Sequence, residues 1–66
     1  MSHNLIMELR ERFLKIYANL PLGARKEIIV VLEKEPMTWS AVYVEVYSKT
    51  AKGEKILEKL KEMNFI

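Results

Sequence analysis

The chain begins with apolar residues that recur at three- and four-residue spacing, the period of a helix with one buried face. The residues of this face are Leu5, Ile6, Leu9, Phe13, Ile16, Tyr17 and Leu20. Ser2 or Asn4 is suited to cap its start, and Glu8 with Arg12 forms an i,i+4 pair on the opposite side, which indicates a solvated face. The pattern predicts a first helix over residues 4–19.

A second apolar run follows Pro21 and Gly23, which end the first helix. Its helical face would consist of Ala24, Ile28, Val31 and Leu32, widened by Ile29 and Val30. Pro36 cannot continue a helix and disfavours helical backbone at the residue before it. We therefore expect a second helix from about residue 22 to Glu35, with a face wide enough for a central place in the core.

Residues 41–47 are rich in β-branched and aromatic side chains, a composition typical of a strand. Helical signals oppose this interpretation. Thr38 is a good N-cap, Met37 precedes it as a hydrophobic staple, and a lone strand would lack an obvious partner. A helix also places three large apolar residues on one face, Trp39, Val42 and Val46. We expect a helix over residues 38–47.

The last part of the chain has the clearest amphipathic pattern. Charged residues separate the members of one apolar face, which are Ile56, Leu57, Leu60 and Met63. Asn64 is suited to a left-handed C-cap, after which Phe65 and Ile66 would fold back onto the core. Together the segments predict an all-α fold, a small bundle of three to four helices that forms a single domain over residues 1–66.

Composition limits how such a fold is stabilised. A chain of 66 residues buries only about 60% of its unfolded surface, and without cysteine it has neither disulfides nor thiolate metal ligands. No cationic leader and no membrane-length apolar stretch is present, so we expect a soluble, cytoplasmic protein. The net charge of +2 is modest, but residues 49–61 hold five lysines against two glutamates, Glu54 and Glu58.

Residues 24–66 contain segments whose order resembles the helix-turn-helix core of winged-helix DNA-binding proteins. The resemblance covers about two thirds of the chain and is carried by four runs, Ala24 to Leu32, Pro36 to Ser40, Ser48 to Lys52, and Ile56 to Ile66. It implies a helix-turn-helix-like C-terminal core whose last helix lies in the major groove of DNA. The implied contact residues are Lys49, Thr50, Lys52, Lys55 and Lys59.

Three features depart from the family pattern. Tyr47 stands where many members have a small turn residue, Gly53 stands where a packing aliphatic is expected, and no wing hairpin follows the last helix. A glycine inside a helix costs about 1 kcal/mol relative to alanine. Gly53 therefore either permits close approach of a backbone or marks a later start of the helix.

The expected function is weak, largely electrostatic binding of double-stranded DNA. Lysine supplies charge for phosphate, and no arginine, asparagine or glutamine precedes Asn64 on the last helix to read base edges. Alternatively, the lysines form an ordinary solvated surface. Glu54, Glu58 and Glu62 weaken the attraction to phosphate wherever they lie on the same helix face as the lysines. Lysines gathered on one exposed face favour DNA binding, whereas a contiguous exposed apolar patch favours the alternative function, a helical protein-interaction module.

Two further patterns have both an ordinary and a functional interpretation. Heptad-like spacing in the first helix favours packing in the chain's own core but also allows a homodimer through that helix. The residues concerned are Ile6, Leu9, Phe13, Ile16 and Leu20. Trp39, Tyr43 and Tyr47 recur every four residues and are either core and boundary residues or a surface that stacks on single-stranded bases.

No pattern in the sequence predicts catalysis. His3 is the only histidine, aspartate is absent, and Ser2, Ser40 and Ser48 have no evident base. The scattered glutamates form no metal-ligand cluster, and no glycine-rich phosphate loop is present. We therefore expect a protein that is not an enzyme, with no cofactor, no metal, no membrane partner and no small-molecule substrate.

Overall fold

The computed structural model of the protein describes residues 3–66. It contains three α-helices and one two-stranded antiparallel sheet, so the predicted all-α fold class is wrong and the chain is α+β. In chain order the elements are α1 (His3–Ala18), a 3₁₀ helix (Leu22–Lys26), β1 (Ile28–Leu32), β2 (Glu35–Thr38), α2 (Trp39–Tyr47) and α3 (Ala51–Glu62).

Helix α1 follows the predicted range to within one residue at each end, so the predicted first helix is confirmed. Of the two predicted caps, Asn4 lies within the helix, and Ser2 lies outside the described residues. Leu9 and Phe13 from its apolar face are fully buried, and the helix packs against both α2 and α3. Arg10 also ties α1 to the end of α2. Its Nε and Nη2 donate to the carbonyl oxygens of Val46 and Tyr47 at 3.1 and 3.2 Å. A cation is favourable there because the carbonyl end of a helix carries a partial negative charge.

The predicted second helix is wrong, because a 3₁₀ helix and a β-hairpin occupy residues 22–38. The physical reason lies in the run Ile-Ile-Val-Val at residues 28–31. β-branched side chains lose χ1 freedom in a helix and pack well on a pleated sheet. Val30 is buried while the adjacent Val31 is exposed, which is the alternation of a strand and not the wide helical face that we expected.

The hairpin turn uses residues that seldom adopt its backbone conformation. Glu33 and Lys34 have φ of 49° and 72°, the left-handed region that two-residue hairpin turns require and that Asn-Gly usually supplies. Pro36 lies inside β2, opposite Val31 and one pair beyond the turn. Alternate pairs of an antiparallel ladder exchange no hydrogen bonds, so this position tolerates a residue without an N–H.

From Trp39 onward the chain forms the predicted helices. The helix expected over residues 38–47 is confirmed as α2, and its N-cap Thr38 accepts through Oγ1 from Ala41 N at 3.1 Å. The predicted last helix is α3, after which Asn64 has the left-handed φ of 57°. Phe65 folds back as expected, since its ring centroid lies 5.3 Å from that of Trp39.

The core lies where the three helices meet the inner side of the hairpin, which contacts α3 through β1 and α2 through β2. Its buried residues are Leu9, Phe13, Val30, Met37, Trp39, Val42, Val46, Ile56, Leu57 and Leu60. Phe13 and Trp39 join α1 to α2 with ring centroids 5.6 Å apart. Within residues 3–66, no helix has the length and apolar character needed to cross a membrane.

Candidate nucleic-acid interface

The turn between α2 and α3 spans only residues 48–50, and the two helices pack on each other. Lys49 has φ of 56°, a conformation that favours glycine. The left-handed position of the turn is therefore Lys49 and not Tyr47, where the resemblance had placed a small turn residue. The next residue closes the turn, because Thr50 N donates to Glu45 O at 3.2 Å.

Gly53 is buried where the backbone of α2 passes close to α3. A Cβ at this position would lie 2.6 Å from the carbonyl oxygen of Glu45 and 3.2 Å from the backbone nitrogen of Val46. Because α3 already begins at Ala51, the glycine does not mark a later helix start. The expectation of close backbone approach is confirmed, and the missing side chain sets the separation of α2 and α3.

Thr50 is the N-cap of α3, and its hydroxyl is used within the chain. Its Oγ1 accepts from Gly53 N at 2.9 Å and donates to Glu45 Oε1 at 2.6 Å. These bonds hold the turn against both helices. A contact between Thr50 and DNA, predicted from the resemblance, would compete with the bond to Glu45.

Lys52, Lys55 and Lys59 lie on one side of α3, because positions i, i+3 and i+7 return to the same helix face. Two of these lysines meet hairpin glutamates that we had expected in a helix. Lys52 Nζ lies 2.7 Å from Glu35 Oε1, and Lys55 Nζ lies 3.9 Å from Glu33 Oε1. Within residues 3–66, Lys59 has no ion pair.

The hairpin glutamates change the electrostatics of this lysine face. The hydrogen bond to Glu35, together with the charges of Glu35, Glu45 and Glu33, raises the pKa of Lys52 above its ordinary value of 10.5. Lys52 therefore stays charged at neutral pH, and Glu35 already offsets its charge. Exposed ion pairs contribute little to stability, so a phosphate group can replace these glutamates as a partner.

Glutamates also flank the lysines along α3. Glu54, Glu58 and Glu62 recur every four residues and form a stripe beside the lysine face. Residues 49–62 hold five lysines and three glutamates, and residues 33–35 of the hairpin turn add two glutamates and one lysine. The positive excess of this part of the surface is therefore small.

A second surface lies between α1, the 3₁₀ helix and α2. Tyr17 and Tyr43 stack with ring centroids 4.3 Å apart, and Tyr47 lies 5.5 Å from Tyr43. The guanidinium of Arg25 covers the Tyr17 ring, with Cζ 4.4 Å from its centroid. Together with Leu14 and Ala18, these residues line an open depression on the surface. We call this depression the tyrosine patch, and its lining residues are Leu14, Tyr17, Ala18, Arg25, Tyr43 and Tyr47.

The predicted stripe of Trp39, Tyr43 and Tyr47 is divided between two environments. Trp39 is buried against Phe13, whereas Tyr47 is 61% exposed. Helical spacing within α2 could not reveal the contributions of α1 and the 3₁₀ helix to the tyrosine patch. Those residues are distant in sequence and carry no local signal of their own.

Within residues 3–66, no group of three or more His, Asp or Glu side chains is arranged to hold a metal ion. Comparisons with protein-family models, with curated proteins and with solved structures found no match to the chain. The likeness to winged-helix proteins stays a prediction from the sequence. Function must therefore be inferred from the two surfaces.

Proposed function

We propose that the protein binds double-stranded DNA weakly and mainly through charge, with α3 and the turn before it as the contact surface. One observation carries the proposal. Lys52, Lys55 and Lys59 share one side of α3, directly after a short turn that bears Lys49. A helix that presents lysines in this way can track phosphates along a groove. The proposal includes no catalytic step, and it retains the cytoplasmic location expected from the sequence.

Two features limit the expected affinity. Lysines mostly supply charge to phosphates, and this side of α3 lacks arginine, asparagine and glutamine, the side chains best suited to bidentate reading of a base. In addition, Glu35 and Glu33 compete with phosphate for Lys52 and Lys55. We expect dissociation constants in the range of non-specific binding, roughly 10⁻⁴–10⁻⁶ M at physiological salt, with little dependence on the DNA sequence.

A fluorescence anisotropy titration of a labelled duplex at several salt concentrations tests the proposal. The variant Lys55→Ala/Lys59→Ala removes two exposed lysines of the proposed face. The matched control Lys15→Ala/Lys26→Ala removes two exposed lysines from α1 and the 3₁₀ helix. For the first variant we expect about tenfold weaker binding. The slope of log K against log salt concentration should also become shallower by about two, because two phosphate contacts are lost. Equal losses in both variants, or no binding by the wild type at low salt, would overturn the proposal.

A homodimer through α1, which the heptad-like spacing allows, also remains a proposal. Leu9 and Phe13, at the centre of the heptad pattern, are buried in the chain's own core. Met7 and Ile16 are 37% and 38% exposed, but they lie on opposite sides of α1, so a contact between two copies uses one of them. Sedimentation equilibrium of the wild type and of the single variants Met7→Lys and Ile16→Lys tests this interface. A wild type that stays monomeric at all concentrations would rule it out.

A second candidate function, a protein-interaction module, is favoured by the tyrosine patch. Tyrosine and arginine are among the residue types enriched at the energetic centres of protein interfaces. Beside the patch, Val44 on α2 is 58% exposed, and one helical turn further Tyr47 is 61% exposed. In a small domain such neighbouring apolar side chains form the kind of surface that a partner covers.

A further inference from the structure

Arg25 is the one charged residue among the six that form the tyrosine patch. Its contact with the Tyr17 ring holds the guanidinium in place without neutralising it. Within residues 3–66, no carboxylate pairs with Arg25, and its buried Nε has no hydrogen-bond partner. The guanidinium therefore keeps its full charge, and because Arg25 is only partly buried, its terminal nitrogens can pair with an anion that docks on the patch.

The backbone around Arg25 is anchored, which fixes where an anion would bind. Ser40 Oγ donates to the carbonyl oxygen of Arg25 at 3.2 Å and ties the 3₁₀ helix to the first turn of α2. The 3₁₀ helix also packs against α2. A guanidinium that is held in position before binding loses little conformational freedom when a ligand arrives.

Aromatic surface lies beside this cation. The rings of Tyr17 and Tyr43 are nearly parallel, at 11°, and cover each other. Tyr47 lies next to Tyr43 and is mostly exposed, so its ring is the accessible aromatic surface of the patch. Such a ring favours an aliphatic or aromatic side chain as its contact.

A single cation beside aromatic rings fits a ligand with one anionic group next to an apolar one. Single-stranded nucleic acid carries a phosphate at every nucleotide and is bound by cations repeated along a groove, whereas the patch offers Arg25 alone. We propose that the tyrosine patch binds an acidic segment of a partner protein. A carboxylate of that segment pairs with Arg25, and a neighbouring apolar side chain packs on Tyr47. This inference rests on the second candidate function and is independent of DNA binding by α3.

An NMR titration of the full chain with two matched peptides tests the inference. The probe is the capped peptide Gly-Phe-Glu-Phe-Gly, and its partner has glutamine in place of glutamate. The signals to follow are the side-chain Nε–Hε resonance of Arg25 and the backbone amides of Tyr43 and Tyr47. We expect saturable shifts with the acidic peptide and about tenfold weaker binding of the glutamine peptide. Arg25→Gln should abolish this preference, and Arg12→Gln, an exposed control on α1, should retain it.

The outcomes separate the inference from the function on which it rests. Equal binding of both peptides at the patch would overturn the role of Arg25 and leave the interaction module standing. Binding of neither peptide would overturn both. Tighter binding of a thymidine dinucleotide than of the acidic peptide would assign the patch to nucleic acid and overturn a protein partner.

Discussion

Replacing Gly53 with alanine tests how closely α2 and α3 pack. In most helix interiors this change stabilises a protein by about 1 kcal/mol, because alanine has the higher helix propensity. Here the added Cβ would meet the carbonyl oxygen and carbon of Glu45 at 2.6 and 2.9 Å. Both are backbone atoms, so no change of rotamer relieves the overlap. The two helices must move apart.

The expected net effect is a loss of about 2 kcal/mol in the free energy of unfolding. Overpacking costs about 1–3 kcal/mol. Moving α2 away also weakens the hydrogen bond from Thr50 N to Glu45 O, a type of bond that contributes about 1 kcal/mol. The gain in helix propensity offsets about 1 kcal/mol of this loss. For a domain of this size, the result is a fall of about 8–16 °C in melting temperature.

Thermal and urea denaturation followed by far-UV circular dichroism measure this change. Gly23→Ala is the matched control, because Gly23 has a negative φ and an added Cβ there would meet nothing within 4 Å. We expect the control to change stability by less than about 0.5 kcal/mol. A Gly53→Ala variant as stable as the wild type, or more stable, would show that the backbones of α2 and α3 are not in close contact at Gly53.

Three further predictions concern the turn and the hairpin. Thr50→Ala should lower the free energy of unfolding in urea by about 1 kcal/mol because it removes the N-cap of α3, and equal losses in Thr50→Ala and Thr50→Ser would contradict that role. Lys49→Gly should raise the free energy of unfolding by about 0.5 kcal/mol, because glycine adopts the positive φ without strain. A loss of stability would show that Lys49 is not strained in this turn. Glu33→Gln/Glu35→Gln removes the ion-pair partners of Lys52 and Lys55 and should tighten duplex binding about threefold at low salt in the anisotropy titration. Unchanged affinity would show that these glutamates do not compete with phosphate.

The helical parts of the fold were predictable because apolar spacing or capping residues identify each helix locally. In α1 and α3 the apolar spacing identifies the face that packs in the core, although Ile16 and Met63 from these faces are 38% and 49% exposed. In α2 the composition of residues 41–47 favours a strand, yet the capping bond from Ala41 to Thr38 and the buried face around Val42 decide for helix. Capping chemistry was thus the better guide than β propensity in this segment.

The hairpin was missed because its apolar run satisfies both interpretations. Residues 28–32 are five consecutive aliphatic residues, and periodicity cannot separate a short buried strand from part of a helix. The turn carries Glu33 and Lys34 where a hairpin signal would show Asn-Gly, and Pro36 suggests a helix end although it lies within β2. The β-branched residues of the run decided the outcome, because they pack better on a sheet than in a helix.

The position of the lysines on α3 was predictable, but the acidic residues that lie beside them were not. Helical spacing alone places Lys52, Lys55 and Lys59 on one side of α3. The partner of Lys52 is Glu35, which lies 17 residues earlier in the chain, on an element that the sequence did not reveal. The same limit applies to the tyrosine patch, since its residues come from three elements.

The most direct test of DNA binding by α3 is a two-dimensional ¹H–¹⁵N NMR titration of the full chain with duplex DNA at low salt. Binding through α3 predicts that the largest shifts fall on the amides of residues 48–59, in the turn and the lysine-bearing part of α3, and that added salt reverses them. Shifts centred on the tyrosine patch, or no shifts with DNA in excess, would show that α3 is not the DNA-binding surface.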